Sequence, residues 1–178
     1  TVWVLDPVDL DPTRTLPHST AQLLACSPSC AKGSKTPCGL VITLHGTSMN
    51  PRDMMWLTVG NGNGGFAEDA GVGGPYCSAY LHSANAYNWD YNPDGADSYL
   101  VEAMIGYVRR TRNLDEDAIF CHGYSSGSIM CHTLACSRLG AHFAAMVPYA
   151  GAGAFLADCQ WRQHQLIAHG TRDCTVWF

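Results

Sequence analysis

Apolar and polar residues follow one another along this chain in blocks whose period changes. Gly39-Leu-Val-Ile-Thr-Leu-His45 is a continuous apolar run ended by Gly46, the pattern of a strand buried on both faces. Tyr76 to His82 predicts the next strand. Asp97 reads as an N-cap, and Leu100, Val101, Met104, Ile105 and Val108 then recur on one face of a helix. Asp117 to His122 predicts a strand stopped by Gly123. Ile129, Met130, Thr133 and Leu134 predict a second helix, closed by Gly140. Ala144 to Ala150 and Gln165 to Ala168 are further apolar runs, each ended by glycine, and Val2 to Leu5 reads as an edge strand. Strands alternating with helices imply an α/β fold with a mostly parallel sheet covered by helices.

The remaining segments read as loops. Residues 6–38 hold five prolines and three cysteines, which predicts irregular structure pinned by disulfides. Residues 47–75 are rich in Gly and Asn around Met54, Met55 and Trp56, and predict a long loop. Gly60-Asn-Gly-Asn-Gly-Gly65 within it lacks the Gly-Lys-Ser/Thr ending of a phosphate cradle and reads as a flexible loop. Residues 83–96, centred on Trp89, form another loop.

Composition narrows the function classes. A length of 178 residues suits one domain, 1–178, with a Cys/Pro-rich segment 1–38 ahead of a core 39–178. The net charge of −5 argues against a nucleic-acid partner. Arg109, Arg110 and Arg112 fit the solvated C-terminal end of a helix. No apolar run approaches the roughly 20 residues of a membrane span, and no signal-peptide pattern opens the chain. Nine cysteines in this length are many. No zinc-type Cys/His spacing appears, so disulfides in a secreted protein are the favoured reading over metal ligands, and no metal or cofactor is expected. An odd count leaves one cysteine over.

Gly123-Tyr-Ser-Ser-Gly127 sits between a predicted strand and a predicted helix, the context a nucleophile elbow requires. The turn would hold Ser125 out at the sheet edge, with the helix amides aimed at the same spot. The plainer alternative is a Ser/Gly turn. Leu44-His-Gly-Thr47 ends the first central strand where a second oxyanion donor belongs, and is otherwise a simple strand-end turn. His169-Gly-Thr-Arg-Asp173 follows another apolar run. Asp173 could orient a catalytic imidazole, or be an exposed loop carboxylate.

Together these segments resemble secreted α/β-hydrolase esterases of the polyhydroxybutyrate depolymerase and feruloyl esterase group. Leu44-His-Gly46, Asn88-Trp-Asp90, Gly123-Tyr-Ser-Ser-Gly127, Pro148-Tyr-Ala-Gly151 and His169-Gly-Thr-Arg-Asp173 carry the likeness, from about Leu40 to Val176. The Asp97 helix and Asp115 also fall at family positions. The resemblance implies helices on both sheet faces, Ser125 as nucleophile, Asp173 as triad acid, and the amides of Thr47 and Ser126 as oxyanion donors.

The pattern breaks at the base. The family places its histidine after the acid, and none follows Asp173 here. His45 and His169 match positions that are not the base. His122 and His132 lie in the elbow strand and its helix, and His18, His82, His142 and His164 read as surface or packing residues. Three explanations compete: a C-terminal strand, helix and base outside this chain or on a partner chain, a catalytically inactive binding protein of this fold, or a recruited histidine. The first is favoured, with Cys174 as a cysteine that lost its partner. Tyr80, Tyr87, Trp89, Tyr91, Trp56 and Tyr124 fall near the expected site, and aromatic walls suit an aryl acid, a sugar ring or a hydrophobic polyester. Trp89 and Tyr124 are the expected substrate contacts. Trp89 reads equally well as a loop anchor. The expected activity is carboxylic ester hydrolysis of a small or polymeric ester.

Overall fold

A computed structural model describes residues 2–13, 15–16, 20–59, 74–153, 159 and 163–176. Gly60 to Gly65 and His18 lie outside them. Among the described residues seven strands form one sheet in the order β1-β2-β4-β3-β5-β6-β7. They are β1 (Val2–Leu5), β2 (Gln22–Cys26), β3 (Cys38–Leu44), β4 (Tyr76–Leu81), β5 (Leu114–Tyr124), β6 (Ala145–Tyr149) and β7 (His164–Gln165). The first two pairings, β1 with β2 and β2 with β4, are antiparallel; the rest are parallel. The predicted apolar run of β3 lies at the sheet centre and is buried at every position but Val41.

Among the described residues four α-helices flank the sheet: α1 (Pro7–Leu10), α2 (Pro51–Val59), α3 (Ala96–Thr111) and α4 (Ser126–Cys136). Alternation along the strands separates two cores. Leu24, Ile42, Ala79, Ile119 and Cys121 pack with Leu10 of α1, Leu100, Met104 and Val108 of α3, and Met130 and Leu134 of α4. Leu23 and Tyr80, on the opposite face, pack with Met54 and Met55 of α2. Helices therefore cover both faces, as expected, but unequally. On β5, Ile119, Cys121 and Gly123 are buried, whereas Phe120, His122 and Tyr124 are only half-buried.

Several elements differ from expectation. Residues 6–38 contain α1 and the fully buried strand β2, whose Cys26 faces Cys77 across the ladder and is bonded to it. Residues 47–75 contain α2, with an exposed Trp56 and Leu57. The residue capping α3 is Gly95, and Asp97 lies inside the first turn. α4 ends at Cys136 with Ser137 as its cap, and Gly140 belongs to a short 3-10 turn, Arg138–His142, that follows it. The arginines at the end of α3 divide their work. Arg109 pairs with Glu116 at 2.6 Å, Arg110 donates to the Leu10 carbonyl at 2.6 Å, and Arg112 lies over the Trp3 ring.

Eight cysteines form four disulfides: Cys26–Cys77, Cys30–Cys38, Cys121–Cys131 and Cys136–Cys159. Cys174 is exposed and outside these pairs. The sulfurs of Cys30, Cys38 and Cys77 lie within 4.8 Å of one another, but each is committed to a disulfide and offers no thiolate to a metal. Cys121–Cys131 joins β5 to α4 across the turn that holds Ser125. Replacing both by alanine is expected to cost about 2–4 kcal/mol, read as a lower urea midpoint, because the cross-link limits the unfolded chain. No helix among the described residues is long and apolar enough to cross a membrane.

Candidate active site

The site forms where three parallel strands end side by side. β5 runs to Tyr124, the chain turns at Ser125, and α4 begins at Ser126. Ser125 has φ 52° and ψ −118°, a backbone conformation that a residue with a side chain rarely adopts. Hydrogen bonds hold it there. Its amide donates to the Tyr149 carbonyl at the end of β6 (2.9 Å), and its own carbonyl accepts from Ser128 and Ile129 (2.9 and 3.2 Å).

The turn closes only because two neighbours are glycine. A Cβ on Gly123 would meet the Gly127 carbonyl, with the Ser128 nitrogen 2.6 Å away. A Cβ on Gly127 would meet the Leu44 carbonyl and stand 2.7 Å from the His45 carbonyl oxygen. The first turn of α4 thus lies directly on the end of β3. At a helix start the first amides have no intrahelical acceptor, so Ser126 presents a free donor with the helix dipole behind it. The chain leaving β3 passes through Gly46, which lies against the Tyr124 ring, to an exposed Thr47. Among the described residues, no backbone hydrogen bond uses the Thr47 amide.

The loop between β4 and α3 braces this corner from below. Trp89 is 3% exposed, and its indole N–H donates to the His45 carbonyl at 2.7 Å. Of the two roles open to it from sequence, it therefore occupies the anchor role, with almost no surface left for substrate. Asp97, fully buried, accepts from the amides of Ala84 (2.9 Å) and Asp90 (2.6 Å). Asp90 in turn accepts from Ala96 at 3.0 Å. The Asn88-Trp-Asp90 segment is structural support for the β3 loop. Asn88 is also within 3.5 Å of the Thr47 hydroxyl.

Asp173 lies in a turn that leaves the strand position next to β6. Ala168 bridges Tyr149 in parallel, and the Ala150 amide donates to Ala168 at 2.8 Å. The sheet thus carries the Asp173 turn to the edge at which Ser125 stands. One carboxylate oxygen accepts from Val176 (3.0 Å) and Thr175 (2.9 Å), and the other lies 3.4 Å from His169 Nε2. The amides of Val176 and Thr175 hold this carboxyl below its ordinary pKa, so it is ionised.

His169 Nε2 faces the Val176 carbonyl at 2.8 Å. His82 is buried against His45, and His132 lies inside α4. No histidine among the described residues is hydrogen-bonded to Ser125. Burial lowers the pKa of His45, His122 and His132. Each is then neutral when folded and takes up a proton on unfolding below about pH 6.5, so the unfolded state binds more protons there. Stability is expected to be complete above that pH and to fall on acidification through it, seen as a lower urea midpoint at pH 5.5 than at pH 7.5. The depressed carboxyls, Glu116 and Asp173, remain ionised across this window.

A cavity of about 500 Å³ opens beside the elbow on the thinly covered face, lined by Met54, Leu57, Thr58, His122, Tyr124 and Tyr149. The rings of Tyr124 and Tyr149 stack at 5.8 Å. Tyr149 and Leu57 were not singled out from sequence as wall residues; their exposure in the fold, 49% and 54%, is what marks them. A second cavity of about 500 Å³ lies within the turn around α1, between Asp6 and Leu16, and presents no elbow residue.

No protein-family model matches the sequence, and no curated protein matches it. Solved structures do. An acetyl xylan esterase from Aspergillus awamori superposes with a TM-score of 0.62 at 18% identity, over 86% of this chain and 53% of that one. A thermostable esterase gives 0.66 at 18% identity, over 99% and 48%. FphF, a fluorophosphonate-binding serine hydrolase of Staphylococcus aureus, gives 0.57 at 18% identity, over 91% and 62%. The fold is that of the α/β-hydrolases, and the chain spans about half the length of the acetyl xylan esterase and of the thermostable esterase.

Proposed function

We propose that this chain carries the nucleophile, acid and oxyanion-binding corner of a serine carboxylic ester hydrolase. The observation that supports this most strongly is Ser125 itself: a serine at positive φ between a parallel strand and a helix whose first turn lies on the end of β3, so that in this reading the amides of Ser126 and Thr47 are the oxyanion donors. In this reading the Ser125 hydroxyl oxygen attacks the ester carbonyl carbon while its proton passes to a histidine base. The resulting oxyanion sits between the two amides. The bond to the alcohol oxygen breaks as the histidine returns the proton to it. Water then attacks the acyl-serine by the same route, releasing the acid and restoring the hydroxyl. Asp173 orients the base, which this reading takes from outside these 178 residues, in the same polypeptide or on a partner chain.

The apolar cavity and the Tyr124–Tyr149 pair favour an acyl or alcohol group with a planar or hydrophobic surface. Feruloyl or acetyl esters of plant polysaccharide and hydroxyalkanoate polyesters are the substrates to assay first. Four disulfides fit a secreted protein. The test is a fluorophosphonate probe on the full-length natural protein, with peptide mass mapping. Modification at Ser125 is expected; no modification, or modification at another residue, overturns the assignment. The absence of a histidine on Ser125 among the described residues favours a second reading, an inactive polymer-binding protein. It predicts adsorption to an insoluble ester polymer with no labelling and no product.

A further inference from the structure

His45 is fully buried one residue from the oxyanion loop and is not the triad base. Its ring has a polar partner at each nitrogen. Nδ1 is 2.7 Å from the Gly46 carbonyl oxygen, and Nε2 is 3.3 Å from the Ser83 amide, which donates to it. A carbonyl can only accept and an amide can only donate, so the ring is the neutral tautomer with its proton on Nδ1. Trp89 and His82 hold the ring in place, with centroids 4.8 and 5.1 Å away.

The Gly46 carbonyl belongs to the same peptide unit as the Thr47 amide. A trans peptide is planar, and its C=O and N–H point in opposite directions. All peptide bonds among the described residues are trans. Whatever fixes the Gly46 carbonyl therefore aims the Thr47 N–H. The amide of the half-buried Met49, within the same loop, also donates to this carbonyl at 3.1 Å. His45 is the shorter contact, and it comes from the core.

We propose that His45 is the positioning residue of the oxyanion hole, its Nδ1–H holding the Gly46 carbonyl so that the Thr47 amide points at the developing oxyanion beside Ser125. This rests on the esterase reading of the site. Burial favours the neutral ring most strongly; the Gly46 carbonyl, Asp97 and Asp53 pull the other way, and His82 adds to the effect of burial.

Two substitutions separate positioning from packing. In His45→Asn the side-chain amide nitrogen falls near the place of Nδ1 and can still donate to Gly46. In His45→Gln the terminal amide falls near Nε2, where it can accept from Ser83 but cannot reach Gly46. Turnover on a 4-nitrophenyl ester by the full-length protein is the readout, with thermal melting alongside. His45→Gln is expected to lose roughly 10²-fold in kcat with KM within about twofold, the scale of one lost oxyanion donor. His45→Asn is expected to retain kcat within roughly tenfold. A His45→Gln protein with unchanged kcat overturns the proposal, as do equal kcat losses in both variants that track their melting temperatures. Should neither variant fold, 15N NMR of the wild-type imidazole decides it: the Nδ1–H tautomer supports the proposal and the Nε2–H tautomer overturns it. A wild-type protein that is neither active nor labelled at Ser125 overturns the esterase reading, and the oxyanion role falls with it, whatever the tautomer.

Discussion

Ser125→Gly is expected to abolish ester turnover and probe labelling while making the protein more stable. The two effects have separate origins. Loss of the nucleophile in a serine hydrolase costs roughly 10⁴–10⁶-fold in kcat. Stability changes because Ser125 sits at φ 52° and ψ −118°, where a Cβ is strained by about 1–3 kcal/mol. Glycine takes this conformation freely and returns about 0.5–1 kcal/mol of that as unfolded-chain entropy. The net gain is about 1 kcal/mol, or about 2–4 °C in Tm for a chain of this size. Ser125→Ala is the control: equally inactive, but keeping the Cβ and hence the strain. A glycine variant less stable than the alanine variant would show that the turn carries no strain. A glycine variant that keeps its turnover would place the nucleophile elsewhere.

The corner was legible in the sequence because its signals are local. The apolar run of β3 ending in His45-Gly46, and the strand–turn–helix frame around Ser125, each state their own geometry. α2 was hidden for an equally local reason: Trp56 and Leu57 place apolar bulk on its exposed side, which blurs the helical stripe that Met54 and Met55 would otherwise make. β2 was hidden because nothing near Gln22–Cys26 says that it lies against β4, more than fifty residues on in sequence; the Cys26–Cys77 bond, separation 51, joins them only in space.

The site residues divide along the same line. An aspartate at a helix start reads as a cap, but the Asp97 carboxylate turns back to the amides of Ala84 and Asp90 in the preceding loop. Trp89 in a polar loop reads equally as a substrate wall or an anchor, and only its 3% exposure and its bond to the His45 carbonyl decide. The role of His45 was invisible in the same way. Its neighbour Gly46 is adjacent in sequence, but Ser83, Trp89 and His82 arrive from a distant loop.

Gly127→Ala is expected to be strongly destabilising for a change of a single methyl group. An alanine Cβ there would press on the Leu44 carbonyl and lie 2.7 Å from the His45 carbonyl oxygen. Both are backbone atoms at the end of a central strand, so no rotamer change relieves the contact. α4 must lift away from β3, and the cost is about 3 kcal/mol, at the upper end for overpacking. The lift also separates the Ser126 amide from Thr47, so labelling of Ser125 should slow even where the protein stays folded. Gly153→Ala is the matched control, since its Cβ would meet nothing within 4 Å. Equal melting temperatures and labelling rates for the two variants would mean that α4 does not lie on the end of β3. A Gly127→Ala protein that melts normally but labels slowly would mean that the close approach serves the oxyanion geometry more than the fold.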